Sequence, residues 1–136
     1  MNADNMELYS HSIALFNRYD LNQTKKQLML EYLGYLEQIR QNDCISYASD
    51  KKLKGIASQI RKTVTQLAMD NRRIITIIDR VEGDTERGII TDRIVNGMKW
   101  EAIADKYAYC PQQTLRIYYK GLEDIERRLK HRKGQA

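Results

Sequence analysis

Between Pro111 and Lys133 the chain carries carboxamide, guanidinium and ammonium groups at helical spacing: Gln112, Gln113, Arg116, Tyr119 and Lys120, then Arg127, Arg128, Lys130, Arg132 and Lys133. A carboxamide can donate and accept at once along the edge of adenine, and a guanidinium can present two parallel N–H groups to guanine. Ammonium and guanidinium groups also neutralise phosphates without reading sequence. On this chemistry Gln112, Gln113 and Arg116 are the candidates for base edges, with Arg116 also able to take a phosphate. Tyr119, Lys120, Arg127, Arg128 and the tail are candidates for phosphate contacts. A run of this kind is equally an ordinary solvated helix face, so the elements that hold it must decide between the two accounts.

Those elements lie between Glu86 and Leu129, where apolar spacing, Gly97 and Pro111 divide the chain into three short helices. The first runs from about Thr85 to Asn96 with Ile89, Ile90, Arg93 and Ile94 inward, and Gly97 supplies the left-handed residue that closes it. In the second, Trp100, Ile103, Ala104 and Tyr107 recur on one face. The third begins at Pro111, whose fixed φ and missing N–H suit a first helical position, with Cys110 at the N-cap. Its inward set is Thr114, Ile117, Tyr118, Gly121, Leu122, Ile125 and Leu129, and its outward set is Gln112, Gln113, Arg116, Tyr119 and Lys120. The expected core of the unit is thus Trp100, Ile103, Ala104, Tyr107, Thr114, Ile117 and Leu122. This is the grammar of a helix-turn-helix.

Residues 92 to 129 resemble region 4 of the sigma-70 class of bacterial sigma factors. Arg93, Gly97, Ile103, Ala104 and Leu122 match that pattern, and Tyr107, Thr114, Gly121 and Ile125 fill its apolar or small positions. Trp100, Glu101 and Ile103, with a helical N-terminal half, make the chain more similar to small sigma-like late-gene regulators of bacteriophages, the ArpU-like and RinA-like group. The chain departs from the pattern at Lys99 and Cys110, where it has serine or threonine caps, and at Ala108, where it has a turn glycine. Ala102 and Gln113 stand in place of its glutamate and threonine. The resemblance covers about a third of the chain. It implies a non-enzymatic, sequence-specific transcriptional regulator, an activator of phage late genes. Double-stranded DNA would be its partner, and host RNA polymerase a further one.

The N-terminal part reads as a helical arm over residues 1 to 82. Met6, Leu8, Ile13, Leu15 and Phe16 suit a short first helix within Met1 to Asp20. A second helix spans about 22 to 41, with Leu28, Tyr32, Tyr35 or Leu36, and Ile39 along one face, widened by Met29 and Leu33. Asn42 to Ala48 is a connecting loop, and Ser49 or Asp50 caps the next helix. From about Asp50 to Val81 a heptad seam places Leu53, Ile60, Leu67, Ile74 and Val81 at one core position and Ala57, Val64, Asn71 and Ile78 at the other. Two coverings of the seam are open. It can fold back on the preceding helix as an antiparallel hairpin with Asn71 exposed, or Leu53, Ile60, Val64, Leu67, Asn71, Ile74 and Ile78 can pair with a second copy as a homodimer. Gly83 then stops the long helix, and Asp84 or Thr85 caps the unit that occupies 83 to 136. The expected fold is all-α, a helical hairpin or coiled-coil arm followed by a sigma region 4-like helix-turn-helix.

Composition excludes little but points the same way. The 136 residues are 42% hydrophobic with a net charge of +5. By segment the charge is −2 over 1 to 20, +5 over 21 to 81, −2 over 82 to 110 and +4 over 111 to 136, so the cationic parts are the arm and the proposed reading helix. Cys44, Cys110, His11 and His131 have no metal-ligand spacing, so no metal site is expected. No run is long enough to span a bilayer and no signal peptide is evident, which places the expectation in the bacterial cytoplasm, with no membrane partner and no disulfide. The acidic group Glu82, Asp84 and Glu86 reads as a helix N-terminus, no phosphate loop is present, and neither catalysis nor a cofactor is expected. A small terminase-like packaging subunit, or a sigma-like module that docks on polymerase without reading DNA, are the alternatives.

Overall fold

The computed structural model describes residues 7–42 and 44–134, with side chains through His131. Met6 of the first apolar scatter, Asp43 of the connecting loop, and the side chains of Arg132 and Lys133 in the basic tail lie outside the described residues. The secondary structure among the described residues is all helical: α1 (Ser10–Arg40), α2 (Tyr47–Asp79), α3 (Asp84–Ile94), α4 (Trp100–Tyr107) and α5 (Pro111–Gly134). By contact the chain divides into two units, one made of residues 19 to 72 and the other of the residues up to Arg18 together with Arg73 onward.

A single helix, α1, replaces the two expected before residue 41. Nothing at the boundary expected near Asp20 and Leu21 ends the helix, which runs on through it. In the fold Asn22 is buried, and its Nδ2 donates to Asp70 Oδ2 at 2.7 Å and to Asn71 Oδ1 at 2.8 Å. A polar residue with its hydrogen bonds made can sit in a helix seam without ending the helix. The inward stripe of α1 also differs from the expected one. Met29 and Leu33 are half-buried and Leu36 is buried, whereas Leu28, Tyr32 and Tyr35 stand exposed.

In the unit of residues 19 to 72, α1 and α2 run antiparallel. Asn22 pairs with Asn71, Glu37 with Arg61 at 2.9 Å, and Arg40 with Asp50 at 2.9 Å, so partners descend along α2 as they ascend along α1. Helix α2 has 33 residues, about 50 Å at 1.5 Å per residue. It starts at Tyr47, three residues before the expected start, because Ser46 supplies the cap: its Oγ accepts from the Ser49 N–H at 3.1 Å. The heptad seam faces inward, with Leu53, Ile60, Val64 and Leu67 half-buried, and Ala57 and Asn71 buried. Asn71 is not exposed, as the hairpin reading has it. It is 5% exposed, and its Nδ2 also donates to the Tyr19 carbonyl.

The second unit has its own core, formed by Leu15 and Phe16 of α1, Ile74 and Ile78 of α2, Val81, Ile89 and Ile90 of α3, Ile103 and Ala104 of α4, and Tyr118, Leu122 and Ile125 of α5. Helix α2 ends with tight i to i−3 bonds, from the Arg80 N–H to the Ile77 carbonyl and from the Val81 N–H to the Ile78 carbonyl, which satisfy two of its terminal carbonyls. Gly83, expected as a stop, is itself the N-cap of α3, and neither Asp84 nor Thr85 caps it. The Glu86 side chain folds over Gly83 into space a Cβ would fill.

Candidate nucleic-acid interface

Helices α3, α4 and α5 are joined by two turns, each with a left-handed residue. After α3, Gly97 has φ +64°, which returns the Met98 N–H to the Asp92 carbonyl at 2.9 Å. After α4, Ala108 has φ +57°. Its N–H reaches the Asp105 carbonyl, and the Tyr109 N–H reaches that of Ala104 at 3.0 Å, the double bond of a Schellman motif. The turn glycine that the sequence lacks is therefore replaced by an alanine held in the same left-handed region. Lys99 stands at the α4 N-cap with extended backbone and no side-chain cap bond.

A buried carboxylate ties α3 to α4. Asp92 is 3% exposed and accepts from Asn96 Nδ2 at 2.9 Å, Lys106 Nζ at 2.9 Å and Tyr107 Oη at 3.0 Å. Burial pushes its carboxyl up, but the bonds from Lys106, Asn96 and Tyr107 outweigh that and hold it below the usual range. Burial and then the Asp92 carboxylate push the Tyr107 hydroxyl up, and the bond to Asp92 raises the Lys106 ammonium. Arg93 fixes the same turn from the other side, donating to the Met98 carbonyl at 3.0 Å with its guanidinium 4.8 Å above the Trp100 ring.

Helix α5 lies on this pair. Its first bond runs from the Thr114 N–H to the Cys110 carbonyl, so Cys110 stands at the N-cap position, and the Thr114 hydroxyl turns back to the same carbonyl. Thr114 and Leu122 are buried, and Ile117 is half-buried. Tyr118 meets Trp100 edge-on at 4.8 Å, and burial pushes its hydroxyl up to about 12. Gly121 lets α3 and α5 approach closely, because a Cβ there would stand 2.6 Å from Ile90 Cδ1. On the other side of α5, Gln112, Leu115, Arg116 and Lys120 are exposed and Gln113 is half-buried. Lys120 Nζ is 4.0 Å from Glu86.

Three other candidates have partners within the chain. Tyr119, read as outward, stacks on Tyr9 with ring centroids 5.1 Å apart, and the Tyr9 hydroxyl reaches Glu123 on the same helix. Arg127 pairs with Asp124, and Arg128 bridges Asp124 at 3.2 Å and Glu82 at 3.3 Å. Asp124 also accepts the Glu82 N–H at 3.2 Å; burial raises its carboxyl, and the bonds from Arg127, Glu82 and Arg128 bring it below the usual range. The acidic group is likewise occupied locally, Asp84 by Arg87, Glu82 by Arg128 and Glu86 near Lys120.

Sequence reasoning does not find Glu126. It is buried, accepts the Ser12 N–H at 2.7 Å and meets His11 Nδ1 at 2.9 Å. The first turn of α1 contains no acidic residue of its own, so Glu126 supplies from α5 the negative charge that a helix N-terminus favours. Burial raises its carboxyl, and the Ser12 and His11 bonds lower it below the usual range. Asp92 has a faint signal, an Asp-x-x-x-Asn spacing on the inward side of α3. Glu126 has none, since its partners lie more than a hundred residues away.

The chain matches no protein-family model, no curated protein and no solved structure. Among the described residues, no group of three or more His, Cys, Asp or Glu is placed to hold a metal, and no helix is long and apolar enough to cross a membrane.

Proposed function

We propose that the chain is a sequence-specific DNA-binding transcriptional regulator, an activator of phage late genes, in which α4 and α5 act as a helix-turn-helix and α1 with α2 as a hairpin arm. The observation that carries this reading is the division of α5. One side is fixed on α3 and α4 through Thr114, Tyr118, Gly121 and Leu122, while Gln112, Leu115, Arg116 and Lys120 project from its N-terminal half. A helix held this way can enter a major groove N-terminus first. Gln112 and Arg116 then meet base edges, and Leu115 meets a thymine methyl. Lys120 meets phosphate, and Arg127 and Arg128 do so while keeping Asp124 as a shared counter-ion. Host RNA polymerase is the further partner, contacted through the arm.

Competition binding of the full chain to fragments from upstream of late operons in its own genome, against random DNA at low and physiological salt, tests the reading. A preference for one fragment of about a thousandfold or more is expected. Arg116→Ala should relax discrimination at one base position by about 1–3 kcal/mol. Replacing Arg127 and Arg128 together should weaken all fragments alike and flatten the salt dependence. Weak binding, equal for every fragment and lost at physiological salt, would overturn it.

A further inference from the structure

Helix α1 carries two apolar stripes, and within residues 19 to 72 α2 occupies one of them. Asn22, Met29, Leu33 and Leu36 form the occupied stripe, fixed by the Asn22 bonds to Asp70 and Asn71. Leu21, Leu28, Tyr32 and Tyr35 form the other, about a third of a turn round the helix. These four side chains are 52%, 60%, 49% and 59% exposed. Their steps of seven, four and three are the spacing by which one helix receives another. Along that face, positions 21, 25, 28, 32, 35 and 39, only Lys25 is charged.

We propose that this stripe is a self-association surface, covered by the same stripe of a second copy of the chain. Area is the first argument. Aromatic side chains bury 150–250 Å² each, so the exposed halves of Tyr32 and Tyr35 offer roughly 200 Å², and the two leucines about as much again. With Ile39 and the methylenes of Lys25 the face amounts to about 500 Å², at the upper end of what a monomer shows as a contiguous patch. Two such faces bury about 1,000 Å² in total, the level a specific interface must reach.

Charge is the second argument. A face with one cation among six positions gives a differently charged protein little to select, and it meets itself across a two-fold axis with a single lysine from each copy rather than a row of like charges. The antiparallel α1 and α2 pair doubled by such an axis is a four-helix arrangement, in which each copy keeps its own seam and adds a second one. This assigns the second copy to α1, and leaves the α2 seam inside the chain. It stands independently of whether the chain binds DNA.

Sedimentation equilibrium of the full chain at tens of micromolar tests the proposal. The expected mass is twice the 16.0 kDa of one chain. Leu28→Glu combined with Tyr32→Glu sets like charges against each other across the axis, and the mass should fall to that of one chain with the helical circular dichroism unchanged. The milder Leu28→Ser, which adds no charge, should raise the dimer dissociation constant at least tenfold. A wild-type chain that remains single at these concentrations overturns the proposal. So does a dimer whose mass and dissociation constant are the same in the folded Leu28→Ser chain.

Discussion

Replacing Asp92 by Asn separates the charge of the buried carboxylate from its shape. The wild-type side chain accepts three hydrogen bonds, from Asn96, Lys106 and Tyr107. An amide in its place offers one oxygen, and turns an N–H₂ towards groups that are themselves donors. The Lys106 side chain is 52% exposed, so water takes over its bond and it adds little to the loss. The bonds from Asn96 and Tyr107 remain, and hydrogen bonds to a charged acceptor contribute about 1.5–3 kcal/mol each when buried, less where a partner reaches water. A destabilisation of about 2 kcal/mol at pH 7 follows for Asp92→Asn.

The sign of the pH dependence follows from the folded carboxyl lying below its unfolded range. Its contribution is complete above the ordinary carboxylate pKa of about 4, and is lost as the pH falls through the lower folded value. Asp124 and Glu126 titrate in the same direction, but they do so in both proteins and cancel in the comparison. Urea unfolding followed by the fluorescence of Trp100, the chain's single tryptophan, reads the α3 to α5 core directly. The gap between wild type and Asp92→Asn should be about 2 kcal/mol at pH 7 and should shrink as the pH falls from the ordinary carboxylate range through the lower folded value. An undiminished gap in acid would refute the assignment to charge and leave only a shape effect.

The two left-handed turn residues predict opposite outcomes. Gly97→Ala places a Cβ at φ +64° and should cost about 1–2 kcal/mol, whereas Ala108→Gly removes one at φ +57° and should stabilise by up to about 1 kcal/mol, both read from thermal melts. Glu126→Gln removes the carboxylate that accepts the Ser12 N–H in the first turn of α1 and should destabilise by about 1 kcal/mol. Because the Glu126 carboxyl is held low when folded, wild-type protection of the Ser12 amide should fall as the pH drops through that folded value, while the Gln variant lacks this step. Hydrogen exchange at the Ser12 amide, compared between the two proteins along a pH series, measures it.

Much of the three-helix unit is legible because its signals are local. Trp100 to Tyr107 reads as a helix from spacing alone, and Gly97 and Pro111 mark boundaries by their own covalent geometry. Ala108 is recognisable as a glycine position only through the resemblance, and its positive φ makes the reason physical. The arm is less legible. Leu28, Tyr32 and Tyr35 satisfy a helical period as well as Met29, Leu33 and Leu36 do, and periodicity alone does not say which stripe the chain covers. Asn22 carries no signal of its own, and its partner Asn71 lies 49 residues on. Tyr119 has an outward position on its helix wheel, and Tyr9 from the far end of the chain stacks on it there. What the sequence conceals here is the set of polar groups satisfied by distant partners.

The bonds from Ser12 and His11 to Glu126 also set an order of events during synthesis. Asn22 can find Asp70 and Asn71 once some fifty residues more have left the ribosome, so the pairing of α1 with α2 is open to the growing chain early. Ser12 must wait for a glutamate 114 positions later. On a free chain the longer loop adds under about 1 kcal/mol to closure, so the delay comes from the schedule of translation. At about 5–20 residues per second the interval is several seconds. Through that interval Ile90 has no Gly121 and Trp100 no Tyr118 to lie against, which makes the nascent chain, rather than the finished one, the state in which this protein is most exposed to chaperones and proteases.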